Sequence, residues 1–186
     1  MKTLHILHSE AATGWGGQEI RVFQECQLLL EQGHTVSIVC QPNSTLWNRC
    51  KGITSENFNC CILKMRNPGN LFSILALYKI IKLASPDIIH THSSIDSWLA
   101  GIIGKLLGLP VIRSRHISIP IKSFFPNNWL YSKIPKKIIT SGKAISKLVS
   151  SVSGVDPKNV KSISAGVDFK RFDFNIDSSK IKKELN

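Results

Sequence analysis

Short apolar runs alternate along this chain with longer segments of helical period, and that alternation admits few folds. It is the sequence form of a parallel sheet covered by helices on both faces, so the expected architecture is a Rossmann-like, doubly wound α/β domain. The runs that read as strands are Thr3 to His8, Thr35 to Cys40, Phe58 to Leu63, Asp87 to Thr91, Val111 to Ser114, Lys137 to Thr140 and Val160 to Ile163. They are short, as strands buried on both faces are. Between the first two, Val22, Phe23, Cys26, Leu29 and Leu30 recur at helical spacing from Gln18 to Gln32, and Gly33 stands where a left-handed cap is wanted. Further helices are expected over Asn70 to Ala84, Ser94 to Leu107 and Lys143 to Ser150, the last with Ser141 as its cap. With 186 residues, 42% hydrophobic and 19% charged, the chain can bury a sizeable single core, which excludes disorder.

Other segments narrow the class. Met1 to His8 is too short for the apolar region of a secretory signal, and Lys79, Lys82 and Lys105 interrupt the two most apolar stretches before a membrane span is reached. Gly101, Gly104 and Gly108 share one helical face, read as close packing of helix on sheet. The cysteines Cys26, Cys40, Cys50, Cys60 and Cys61 lack CxxC spacing, which suggests a reduced, cytoplasmic protein, with Cys60 and Cys61 on opposite faces of their strand.

The formal charge of +12 points to anionic partners. It is concentrated late, since no acidic residue occurs from Ser97 to Val155, where Lys105, Arg113, Arg115, Lys122, Lys133, Lys136, Lys137, Lys143 and Lys147 fall. A merely solvated basic face is the plain alternative. No nucleic-acid motif accompanies the charge, so nucleic acid is not an expected partner.

Two loops carry the chemistry. Glu10 to Glu19 contains Gly14, Gly16 and Gly17 and feeds a helix, so backbone N–H groups and the helix dipole can approach a phosphate; glycines serving only a tight turn are the alternative. The spacing is not GxGxxG and Cys40-Gln41-Pro42 offers no acid for a ribose, which disfavours a dinucleotide. Ser141-Gly142-Lys143-Ala144 lacks both the first glycine and the final hydroxyl of a Walker A loop. Strand Asp87 to Thr91 then runs into His92, Ser93 and Asp96, so His90 and His92 project alike at the carboxyl end of a strand, where such sheets bind ligands. A His-x-His pair can ligate zinc, but no third ligand sits at motif spacing, and no metal is expected. Arg113, Arg115 and His116 follow the next strand and are expected to face the same crevice, completing a basic, imidazole-rich rim suited to a phosphate or polyhydroxyl ligand.

In this order these residues resemble the N-terminal half of family-4 glycosyltransferases, retaining enzymes of the two-domain GT-B fold. Gly14 to Glu19 looks like the family's glycine loop, and Asp87 to His92 like its D-x-x-H-x-H segment. Arg113 to His116 is similar to its histidine-ending fifth strand, and Ile163 to Phe172 to its interdomain crossover, with Ser164-Ala165 replacing the usual Pro-Asn. The WGGQE and DSWLAG wording resembles bacterial enzymes of surface polysaccharide or lipopolysaccharide assembly.

The resemblance implies residues 1–168 as the acceptor-side domain and residues 169–186 as a crossover and the start of a donor-binding domain that this chain lacks. It implies a nucleotide-sugar co-substrate, no other cofactor, and a saccharide or lipid-linked acceptor. Gly14, Gly16 and Gly17 would face the donor diphosphate, Glu19 would set the loop, and His92 would contact the reacting sugar. His90, Ser93, Asp96, Arg113, Arg115 and His116 would line the acceptor cleft. The charge suits a peripheral place on the cytoplasmic face of an anionic inner membrane. The alternative reading is a non-catalytic module that binds a saccharide or an anionic membrane.

Overall fold

The computed structural model describes residues 2–166 and 178–185. Its strands are β1 (His5–Glu10), β2 (Thr35–Cys40), β3 (Phe58–Ile62), β4 (Ile88–Thr91), β5 (Val111–Arg115), β6 (Lys137–Thr140) and β7 (Val160–Ser162). All pair in parallel, in the order β3-β2-β1-β4-β5-β6-β7. The helices are α1 (Gly17–Glu31), α2 (Thr45–Cys50), α3 (Leu71–Ala84), α4 (Ser94–Leu106), α5 (Phe125–Ser132), α6 (Lys143–Ser150) and α7 (Ser179–Glu184). The strand order reverses direction between β1 and β4, which is where a doubly wound sheet opens a ligand crevice at its carboxyl edge.

The two faces carry separate cores. Val22 and Cys26 of α1 and Leu46 and Cys50 of α2 pack against Val36, Ile38 and Cys40 of β2. On the other face Leu7, Val39, Ile89 and Val111 meet Leu77 and Ile81 of α3 and Leu99, Ala100 and Ile103 of α4. Cys61 belongs to this second core and Cys60 packs against the first, the alternation expected of a strand.

Small residues let α4 lie close to the sheet. A Cβ on Gly104 would stand 2.8 Å from both Ile89 Cδ1 and Val111 Cγ2, and one on Gly101 would stand 2.9 Å from Ile134 Cγ2. Gly108 does not share this role: its φ of 71° ends the helix in the left-handed region, as Gly33 does after α1 with φ 80°.

Three local expectations need correction. Strand β1 lies two residues later than Thr3 to His8, so Ser9 and Glu10 are strand residues. The cap of α6 is Gly142, and Ser141 donates its hydroxyl to the His116 carbonyl at 3.3 Å instead. Helices α2 and α5 were not anticipated; the first is capped by Ser44, whose Oγ accepts from the Trp47 N–H, and the second has proline in its first turn. Of the crossover expected over Ile163 to Phe172, residues 167–172 lie outside the described residues, and α7 falls within the expected segment 169–186. Among the described residues no helix is long and apolar enough to cross a membrane.

Candidate functional site

At the carboxyl end of β1, the chain turns through Gly14, Gly16 and Gly17 into α1. A Cβ on Gly14 or Gly17 would meet nothing within 4 Å, and none of the three glycines adopts a left-handed φ. Neither packing nor backbone conformation demands glycine at 14 or 17, so the open backbone there is free to be approached. Gly16 differs from its expected role: it caps α1, and its N–H donates to Glu19 Oε2 at 2.7 Å, so that donor is already used within the loop. Through this bond Glu19 ties the first turn of α1 to the loop.

Behind the loop sits Glu10, fully buried, accepting from the Ala12 N–H at 2.8 Å and from Gln18 Nε2 at 2.6 Å. Burial, reinforced by the negative charge of Asp96, pushes its carboxyl up to about 8. Asp96 is itself pushed up to about 6 by burial, against the pull of its hydrogen bonds. It accepts from the backbone N–H groups of His92 and Ser93, each at 2.7 Å, and from the Ser93 hydroxyl. Ser93 and Asp96 therefore form the capping box of α4 rather than lining a cleft.

Beside this cap three histidines pack together. His8 of β1 pairs in register with His90 of β4, and His92 follows two residues on, so all three point to the face that α1 covers. His8 Nδ1 and His92 Nε2 are 2.9 Å apart, the His90 and His92 rings are centred 4.1 Å apart, and His116 stacks 5.9 Å from His92. His90 Nε2 meets Ser114 Oγ at 2.8 Å, while its Nδ1 faces Glu25 Oε2 at 3.7 Å. Glu25 is tied by its other oxygen to Arg21 Nε at 2.8 Å, and Arg21 Nη1 donates to the Ile163 carbonyl at 2.7 Å.

These imidazoles are a buried cluster and not an exposed rim, since His8, His90 and His92 are 0%, 6% and 3% exposed. Burial, then the neighbouring His90, lowers His8 to about 3; burial, then His116 and Arg21, does the same to His90. His92 is held well below its ordinary value by the same causes, and His116 is lowered chiefly by burial. All are neutral at pH 7, each carrying one N–H and one lone pair.

The expectation that Arg113 and Arg115 share this crevice is not met. Arg113 pairs with Ile138 and lies on the opposite face, its guanidinium 3.8 Å above the Tyr131 ring. Arg115 donates to the Tyr131 hydroxyl at 2.8 Å and to the Ile119 carbonyl at 2.6 Å. Ser114 and His116, alternate with them, are the residues of this strand that reach the histidines.

His8, Arg21 and Glu25 were missed as site residues. Their signal was a polar stripe at 18, 21 and 25 on the core-facing side of α1, together with a histidine inside an apolar strand. With His8 and Glu25 present, the absence of a third ligand no longer argues against a metal beside His90 and His92.

Comparison with known proteins agrees with this architecture. A similar curated protein is the Escherichia coli UDP-Gal:alpha-D-GlcNAc-diphosphoundecaprenol alpha-1,3-galactosyltransferase, 25% identical over 204 residues, covering 100% of this chain and 51% of that enzyme. Among solved structures, a glycosyltransferase from Rickettsia africae superposes with a TM-score of 0.78 at 22% identity, over 100% of this chain and 49% of its own. Anabaena Alr3699/HepE in complex with UDP gives 0.76 at 14% identity, over 98% and 50%. The chain thus spans about half the length of these relatives. Residues 15–171 match the model of Glycosyltransferase Family 4, and the chain belongs to that family.

Proposed function

We propose that this chain is the acceptor-side half of a glycosyltransferase that moves a sugar from a uridine-diphosphate donor to a lipid-linked saccharide. The observation that carries the reading is the bare backbone at Gly14 and Gly17, glycines that neither packing nor φ requires, in the turn from β1 into α1, with His92 just past the end of the adjacent strand β4. The E. coli relative named above transfers from UDP-Gal to a diphosphoundecaprenol-linked sugar, which supports this class of donor and acceptor.

In transfer the departing diphosphate gains negative charge. The unpaired N–H groups of the first turn of α1 and its helix dipole offset that charge without reorganising. Neutral His92 offers the sugar one hydrogen bond. The reaction needs no cofactor beyond the nucleotide-sugar.

The test assays the protein with a donor-binding domain in place, a panel of UDP-sugars and a diphosphate-lipid-linked N-acetylglucosamine acceptor, with product read by mass spectrometry. Transfer is expected, and His92→Gln should lower kcat roughly 10²–10³-fold. Gly17→Val should weaken transfer while leaving the melting temperature nearly unchanged, because no neighbour meets the added side chain. No transfer from any donor overturns the reading.

The loop after β5 supports a peripheral place on the membrane. Ile117, Ile119, Phe124 and Phe125 are exposed there beside Lys122, an apolar and basic surface on a chain of charge +12. Each lysine near an anionic surface contributes about 1 kcal/mol. The protein should float with anionic vesicles and not with zwitterionic ones, and Phe125→Asp should weaken the association; equal flotation with both would sink this assignment.

A further inference from the structure

The histidine cluster has more built into it than contact with a sugar requires. One ligand atom from each of His8, Glu25, His90 and His92 can be chosen so that all lie within 4.8 Å of one another. A tetrahedral zinc with bonds of about 2.0–2.2 Å holds its ligand atoms roughly 3.4 Å apart. The 2.9 Å between His8 Nδ1 and His92 Nε2 and the 3.7 Å between His90 Nδ1 and Glu25 Oε2 fall on either side of that spacing. We propose that these four residues form a zinc site; its effect on sugar binding rests on the role proposed above for His92.

Two of the four, His90 and Glu25, are held from behind as metal sites hold their ligands. A ligating histidine is oriented through its second nitrogen, and here His90 Nε2 is held by the Ser114 hydroxyl. A ligating carboxylate is oriented through its second oxygen, and Glu25 Oε1 is held by Arg21, itself anchored on the Ile163 carbonyl. Both fixtures leave His90 Nδ1 and Glu25 Oε2 facing each other at 3.7 Å.

No tautomer of the His8–His92 pair satisfies all four ring nitrogens. His8 Nε2 and His92 Nδ1 are buried with no hydrogen-bond partner. If these outer nitrogens carry the protons, two lone pairs face each other at 2.9 Å and repel. If an inner nitrogen carries a proton, the outer nitrogen of that ring is a buried lone pair with no donor. A cation at the centre takes both inner lone pairs at once and removes their repulsion, with the two outer N–H groups left as the unpartnered atoms.

Three imidazoles and one carboxylate saturate a tetrahedral ion, which leaves no open position for a substrate. The ion would act as a clasp between β1, β4 and α1. It would also occupy the His92 imidazole, so the zinc-loaded chain is the form closed to sugar.

The experiment dialyses the chelator-treated protein against zinc, with the metal content read by native mass spectrometry. One zinc per chain is expected. The cobalt-substituted protein should show the visible bands of a tetrahedral site without thiolate charge-transfer absorption. Ser114→Ala should weaken zinc about 10–100-fold, and His8→Gln with Glu25→Gln should abolish stoichiometric binding. Cys40 and Cys60, whose sulfurs are 3.9 Å apart, are the rival site, and Cys40→Ser with Cys60→Ser should leave binding intact. Absence of zinc from the unaltered protein, a cobalt spectrum with thiolate bands, or loss of binding only in the cysteine variant would each overturn the assignment. The cobalt spectrum decides the matter even if a variant fails to fold.

Discussion

Acidification from pH 6 to pH 4, with a chelator present, is expected to destabilise the fold by about 3 kcal/mol, a large part of the roughly 5–15 kcal/mol typical of a domain. The driving groups are His8, His90 and His92. In the unfolded chain they take up protons near 6.5, whereas in the fold His8 and His90 do so only near 3 and His92 well below its ordinary value. The unfolded state therefore binds more protons throughout that window, and stability falls as pH falls. Glu10 and Asp96 oppose this. Their folded values of about 8 and about 6 lie above the ordinary 4.5 and 3.8, so the fold holds protons that the unfolded chain releases, and stability is lost as pH rises. Near pH 7 the two sets balance. Below pH 6 the histidines outnumber the carboxyls by about one to two protons, which is roughly 1–3 kcal/mol per pH unit. The melting temperature should drop by roughly 6–12 °C over the two units. His8→Gln should flatten the acid limb, and Glu10→Gln should remove the loss between pH 7 and 8. A melting temperature constant from pH 7 to 4.5 would show that the cluster is not buried neutral in solution.

Much of the scaffold was legible because buried parallel strands leave continuous apolar runs, and all seven expected runs overlap a strand. What was misplaced follows from polarity at the functional edge. Strand β1 ends in Ser9 and Glu10, residues that read as loop, yet their backbone pairs in register with Val39 and Cys40 of β2. Helix α2, only six residues long, is too short to display a period, and α5 begins against a proline after a polar and aromatic loop.

The site was legible where its residues are neighbours in sequence and obscure where only register brings them together. His90 and His92 announce themselves by spacing. His8 lies 84 residues from His92, and nothing short of the β1–β4 pairing places them side by side. The strand now labelled β5 was ended one residue early, at Ser114. Carried to Arg115, its period of two sends Arg113 and Arg115 to one face and Ser114 and His116 to the other, which is the observed partition.

Replacing Asp96 by alanine is expected to cost about 2–3 kcal/mol at pH 7, the lost hydrogen bonds being partly offset by removal of a buried charge. The carboxylate is fully buried and accepts the N–H groups of His92 and Ser93 together with the Ser93 hydroxyl. Hydrogen bonds to a charged group contribute about 1.5–3 kcal/mol each, and alanine leaves two backbone donors facing an apolar methyl with no acceptor in reach. Loss of the cap of α4 adds to this. Asparagine keeps one acceptor oxygen and turns an amide N–H₂ toward the second donor, so Asp96→Asn should lose less than the alanine variant but more than about 1 kcal/mol. Urea unfolding measures both; the midpoint should shift while the slope stays constant, because the surface exposed on unfolding is unchanged. The same carboxylate holds the backbone from which the His92 imidazole projects, so Asp96→Asn should also weaken zinc binding even where the chain stays folded. An alanine variant within 1 kcal/mol of the parent would mean that water satisfies these donors and that Asp96 does not fix the start of α4.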